Sequence, residues 1–294
     1  MSLLESTANR VVLTDHASHQ SARGAYSSQA NEVLSMEQAK AALAEITTWP
    51  GYRATLLRSL NKLAEHTGCA DVSYKDESER FGLGSFRALG GAYAVLCLVA
   101  QEYQRLKGET IALGDIRKGD YQAFTKQMMI TTATDGNHGR SVAWGARNAG
   151  CQCRIYIHRD VSDGRKQAME AFGAEVVRID GDYDDSVHLC AEESAQNDWF
   201  VVSDTSYEGY MDVPRNVMAG YTVMASEILE QAEAPFTHVF IQAGVGGLAA
   251  AVCCRLWMQS GADRPRFIIV ESQHADCWLK SVCLLYTSPS PRDS

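Results

Sequence analysis

Residues 127–157 read QMMITTATDGNHGRSVAWGARNAGCQCRIYI, and the fold follows from how this stretch is parsed. Residues 127–133 form a β-rich run. Thr134 to Gly139 is a turn-forming loop, and small residues then continue to Gly150, a natural helix stop. A second β-rich run, 151–157, follows at once. A strand, a loop, a helix and another strand in so short a span form a parallel crossover unit. The same alternation continues, with β-rich runs at 174–179, 199–203, 237–242 and 266–271 and another helix stop at Gly173. This predicts an α/β protein with parallel sheets flanked by helices. Ligands of such sheets sit beyond the carboxyl ends of the strands, so the loops there carry the functional reading.

Upstream, residues 1–34 are polar and predict an arm or loosely packed segment. A helix is expected from Ser35, which stands in capping-box spacing with Gln38 and is interrupted by Trp49-Pro50-Gly51. Leu56, Leu57, Leu60 and Leu63 predict a helix over 52–67, stopped by Gly68. Asp71 to Lys75 reads as a strand, Asp76 to Gly84 as a loop, and Ser85 to about Gln104 as a helix. Two domains are expected: a larger one from 35–126 plus 235–282, and a smaller one from 127–234. Residues 283–294 (CLLYTSPSPRDS) have no partner element and read as a non-native tail.

The 294 residues carry a net charge of −9, which argues against nucleic acid as a partner. No apolar run approaches the ~20 residues a membrane-spanning helix needs, and no membrane partner is expected. Nine cysteines without zinc-knuckle spacing predict buried reduced thiols, no metal site and a cytoplasmic location.

Three loops carry candidate chemistry. The strand Thr237 to Gln242 runs into Ala243-Gly244-Val245-Gly246-Gly247-Leu248 and then a small-residue helix. Such a loop turns backbone N–H groups toward one point at a helix N-terminus, a setting that suits a phosphate. A dinucleotide loop is also open, although G-x-G-G is not G-x-G-x-x-G. The second loop is Thr134-Asp135-Gly136-Asn137-His138-Gly139, where Asp135 could be a helix cap or an acid–base group. The third is YKDESERFGLGSFRALGGAY, residues 74–93, a charged loop that enters a helix through Ser85-Phe86-Arg87.

Taken together and in this order, the three loops resemble the fold-type II enzymes that use pyridoxal phosphate, the tryptophan-synthase-β and threonine-deaminase group. The stretches YKDESERFGLGSFRALGGAYAV, TATDGNHGRSVAWGARNAG, VSDTSYEGY and QAGVGGLAAAV are most similar to the diaminopropionate ammonia-lyases, over about residues 70–282. The resemblance implies a tryptophan synthase β-like fold and pyridoxal 5'-phosphate as cofactor. It also implies a small amino acid as substrate, a homodimer, and α,β-elimination of 2,3-diaminopropionate to pyruvate and ammonia. By the same resemblance, Gly244, Val245, Gly246 and Gly247 hold the cofactor phosphate and Asn137 the ring hydroxyl. Thr134, Gly136 and His138 bind the substrate carboxylate, with Asp135 placed for proton transfer. Asp204 meets the substrate's amino groups. A serine/threonine dehydratase-like enzyme and a non-catalytic binding protein are the competing readings, and a dinucleotide-dependent oxidoreductase is a distant third.

One position departs from the family pattern. The Schiff-base lysine of the family falls on the third residue of Ser-Phe-Lys, which here is Arg87. A guanidinium stays protonated and neither attacks an aldehyde nor serves as a base near neutrality. Lys75 is the nearest candidate for a replacement nucleophile.

Overall fold

The computed structural model describes residues 24–272 and 274–281; the expected tail at 283–294 and the first part of the polar arm lie outside them. Residues 24–34 are not loose. They form α1 (Ser28–Val33), Leu34 is fully buried, and the Tyr26 ring meets Trp257 edge-on at 5.3 Å. In α2 (Met36–Ile46) both halves of the expected capping box are present between Ser35 and Gln38. The next expectation is corrected. Residues 52–67 are not one helix but β1 (Leu57–Ser59) followed by α3 (Asn61–Thr67), with Gly68 closing the latter in a left-handed conformation. The leucine spacing misled because Leu56 and Leu63 are exposed, and β1 pairs antiparallel with β2 (Ser73–Lys75) instead of presenting a helical face.

The charged loop then leads into α4 (Arg87–Lys107), whose first half is buried almost without interruption. The short helices α5 (Leu113–Lys118) and α6 (Gln122–Thr125) bring the chain to the central sheet. That sheet holds β3 (Met129–Ala133), β4 (Gln152–Ile157), β5 (Glu175–Arg178) and β6 (Phe200–Val201) in the order β5-β4-β3-β6, all parallel. The connecting helices are α7 (Asn137–Ala149), α8 (Asp163–Glu170) and α9 (Tyr183–Asn197). Ile130, Thr131, Thr132, Ile155, Tyr156 and Ile157 are buried on both faces of the sheet, as expected when helices cover each side of a parallel sheet.

Helix α10 (Asp212–Gln231), within the 127–234 unit of the sequence reading, packs on α2, α4 and α11 (Gly247–Ser260). The α4–α10 crossing is at backbone contact: a Cβ at Gly220 would overlap the Leu89 carbonyl, and one at Gly90 would overlap the Tyr221 ring. A second parallel pair, β7 (His238–Gln242) with β8 (Arg266–Val270), flanks α11. Among the described residues no helix is long and apolar enough to cross a membrane, and every cysteine is unpaired.

Candidate active site

A cleft of about 60 Å3 is lined by Phe86, Arg87, Asp204, Tyr221 and the run Gln242–Ala249. Four elements meet there, and local sequence explains each. Strand β7 ends at Gln242 and the chain must reverse into α11 within a few residues. Gly246 makes that turn at φ +91°, a conformation that suits glycine. No side chain caps α11, and its first intrahelical bond runs from Ala250 N–H to the Gly246 carbonyl. The first-turn amides of Gly247, Leu248 and Ala249 therefore have no partner within the helix and border the cleft. With the helix dipole behind them they form a cup for a tetrahedral anion. The indole of Trp278 lies directly over Gly246, where any Cβ would overlap it. Glu271 holds that turn by accepting from the N–H groups of Trp278 and Leu279, both at 3.0 Å.

Opposite the cup, Arg87 stands at the start of α4, with its N–H donating to Ser85 Oγ at 3.2 Å. Its guanidinium is ion-paired with Asp204, approaches the Tyr221 hydroxyl at 3.5 Å, and lies 5.5 Å from the centre of the Phe86 ring. Phe86 and Tyr221 in turn meet edge to face at 5.2 Å. Burial raises the Tyr221 hydroxyl's pKa, while the nearby Arg87 charge offsets part of that rise. The hydroxyl therefore stays protonated near neutrality.

The loop before Arg87 is held by a buried charge cluster. Arg80 donates to Glu77 (2.7 Å), Glu227 (2.6 Å) and the Thr55 hydroxyl (3.1 Å), and its side chain is 1 % exposed. Lys75 Nζ donates to Glu227 and to the Thr55 carbonyl, both at 2.7 Å. The Tyr52 hydroxyl also donates to Glu227, at 2.9 Å. Burial lowers the Lys75 pKa and Glu227 opposes that shift. Two cations and two carboxylates leave the cluster neutral. Lys75 is thus committed to a structural ion pair away from the cleft lining, which removes it as a replacement nucleophile.

The Thr134–His138 loop lies outside the cleft lining. Thr134 is buried and its hydroxyl accepts from Gly136 N–H (3.2 Å) and Gly139 N–H (3.3 Å), which shapes the turn into α7. Gly136 is the N-cap of α7, and the Asp135 carbonyl accepts from Arg165 at 3.0 Å. Asp135 and Asn137 are exposed. His138 is 6 % exposed, and its Nε2 contacts the Val202 carbonyl at 2.9 Å. A carbonyl only accepts, so Nε2 carries the proton and Nδ1 keeps a lone pair that has no partner among the described residues. Burial, with the Arg87 charge second, lowers the His138 pKa to about 4. His138 is therefore neutral at pH 7 and within the field of Arg87.

The structure thus brings Arg87, Asp204, Gly244, Val245, Gly246 and Gly247 to one place, whereas Thr134, Asp135, Gly136, Asn137 and His138 lie outside the cleft lining. Phe86, Tyr221, Gln242 and Trp278 were not expected there. Phe86 follows Ser85 inside the quoted motif and could have been found; Tyr221 sits in an apolar helix and reads as ordinary core.

The chain has relatives among known proteins. The family model described as pyridoxal-phosphate dependent enzyme matches residues 48–290. The diaminopropionate ammonia-lyase of Escherichia coli (strain K12) is 38% identical over 259 residues, which is 87% of this chain and 64% of that protein. The crystal structure of the selenomethionine-containing holo form of the Escherichia coli enzyme superposes with a TM-score of 0.78 at 39% identity, over 86% of this chain and 64% of that one. Its complex with D-serine also gives a TM-score of 0.78, at 38% identity over 88% and 65% of the two chains. The chain spans about 64% of the length of the Escherichia coli diaminopropionate ammonia-lyases and less of the other relatives. It belongs to the pyridoxal-phosphate dependent enzyme family.

Proposed function

We propose that this chain carries the cofactor cleft of a lyase acting on 2,3-diaminopropionate, with one water consumed and pyruvate and two ammonia molecules released. The observation that supports it is the meeting of the glycine cup, Arg87 and Asp204 in one cleft, in a chain 38% identical to a diaminopropionate ammonia-lyase. When bound, pyridoxal phosphate supplies an electron sink for charge developing at the substrate's Cα.

The residues present fit that group at its phosphate end. The amides of the Gly244–Gly247 loop and the first turn of α11 point charge complementarity at a phosphate. They do not fit covalent capture of its aldehyde, because position 87 holds a guanidinium and no lysine among the described residues lines the cleft. The remaining roles belong to the same proposal. The Thr134–His138 loop lies outside the cleft lining, and in this proposal Asn137 would meet the ring hydroxyl while Thr134, Gly136 and His138 would receive the substrate carboxylate. Asp135 moves a proton, and Asp204 receives the substrate's ammonium groups. At present Asp204 is occupied by Arg87, which neutralises the charge an ammonium group would seek. A homodimer in the cytoplasm completes this reading.

The test is pyruvate formation by the Arg87→Lys variant supplied with pyridoxal phosphate, comparing 2,3-diaminopropionate with serine. Preference for the diamino acid supports the reading. Preference for serine favours a dehydratase-like enzyme, and a variant that binds cofactor yet forms pyruvate from neither overturns the lyase assignment. The Arg87–Asp204 ion pair favours a second reading for the unaltered sequence: a protein that binds the cofactor or an amino acid without turnover.

A further inference from the structure

Resting on that second reading, we propose that the cleft is an aldehyde-indifferent site for a phosphorylated pyridine, taking the amine and aldehyde forms alike and forming no covalent bond with either. The phosphate end supplies the affinity. Gly247, Leu248 and Ala249 offer free first-turn amides, and an added Cβ at Gly244 would meet nothing within 4 Å, so the mouth of the cup is open.

The other end of the cleft explains the indifference. An ordinary site of this family would discriminate through an amine that bonds the aldehyde. Here the facing groups are a cation and an anion paired with each other, Arg87 and Asp204. A guanidinium donates hydrogen bonds to a carbonyl oxygen, and a carboxylate accepts them from an ammonium. An aldehyde therefore finds Arg87 and an amine finds Asp204, each at the expense of the same ion pair. Tyr221, protonated and 3.5 Å from Arg87, serves either form because a hydroxyl both donates and accepts. Lys75, the lysine that precedes this loop, is held by Glu227 and the Thr55 carbonyl and does not reach in.

The experiment is calorimetric titration of the unaltered chain with pyridoxal phosphate, pyridoxamine phosphate and unphosphorylated pyridoxal, with borohydride treatment and peptide mass mapping of the first mixture. The expected result is dissociation constants for the two phosphorylated forms within about threefold of each other, no binding of pyridoxal, and no cleft residue modified by borohydride. A preference for pyridoxal phosphate of more than about tenfold, or a reduced adduct on a lysine at the cleft, overturns the inference and leaves the cofactor reading standing. Failure of both phosphorylated forms to bind overturns the cofactor reading as well. Gly244→Asp places a carboxylate in open space in the cup; it should keep the circular dichroism spectrum and weaken both phosphorylated ligands by about tenfold or more. Unchanged binding in that variant overturns the assigned site. Arg87→Lys should convert the site, giving preference for the aldehyde form and a borohydride-stable adduct at position 87.

Discussion

Arg87 fixes a permanent positive charge in the cleft. Its neighbours in the cleft, Asp204, Tyr221 and Phe86, hold it as a structural cation. His138 feels the same charge, and this has a measurable consequence. Its pKa is about 4 in the folded chain against 6.5 for the free side chain, so the unfolded chain takes up a proton first as the pH falls. Stability carried by neutral His138 is complete above about pH 6.5 and is lost progressively toward pH 4, amounting to about 3 kcal/mol in full. His138→Gln keeps a donor for Val202 and should flatten that part of the stability–pH curve in urea titrations; an unchanged slope would assign the loss to other groups. Gly246→Ala is the complementary case. It forces a side chain to φ +91° and into Trp278, so it should cost about 1–3 kcal/mol in thermal unfolding and abolish binding of pyridoxal phosphate. Arg87 and the Gly244–Gly247 turn of the cleft lining were legible because they lie in contiguous motifs. Tyr221 and Trp278 were not, since their roles arise from helix crossing and chain return, which leave no local signature.

At the scale of elements, the loop between β2 and α4 depends on α10, with Arg80 and Glu227 147 positions apart in sequence. Glu227 receives Arg80, Lys75 and Tyr52 in a site where each is buried or nearly so. Removing one partner leaves the others charged in a dry environment. Glu227→Ala should therefore destabilise the chain by about 3–5 kcal/mol, measured by chemical denaturation, and loosen the segment that presents Arg87, measured as faster hydrogen exchange at residues 76–86. A loss below about 1 kcal/mol would mean that water relieves the cluster. The strands of the central sheet were foreseen because parallel strands buried on both faces announce themselves as continuous apolar or threonine-rich runs. The stretch 52–67 was misread for the opposite reason. Its leucines are periodic but partly solvent-facing, and a three-residue strand pairing with β2 carries too little pattern to outweigh them.

At the scale of the molecule, the two parallel sheets are covered unequally. The four-stranded sheet is wrapped, whereas the β7–β8 pair leaves Phe240 at 70% and Val270 at 51% exposure. A parallel pair with one bare apolar face is an adhesive surface. Phe240→Lys should lower binding of a hydrophobic dye and concentration-dependent self-association in sedimentation runs, with little change in unfolding temperature; unaltered association would place the contact elsewhere. The α/β class and strand order of appearance could be read from periodicity alone. The unequal covering could not, because it depends on which helices return to which sheet. The position of Trp278 adds a practical property to this architecture. An indole resting on the turn that cups the phosphate is a resident fluorophore at the ligand's door. A bound pyridine that absorbs in the near ultraviolet would drain its emission by resonance energy transfer, so the protein reports its own occupancy without a label.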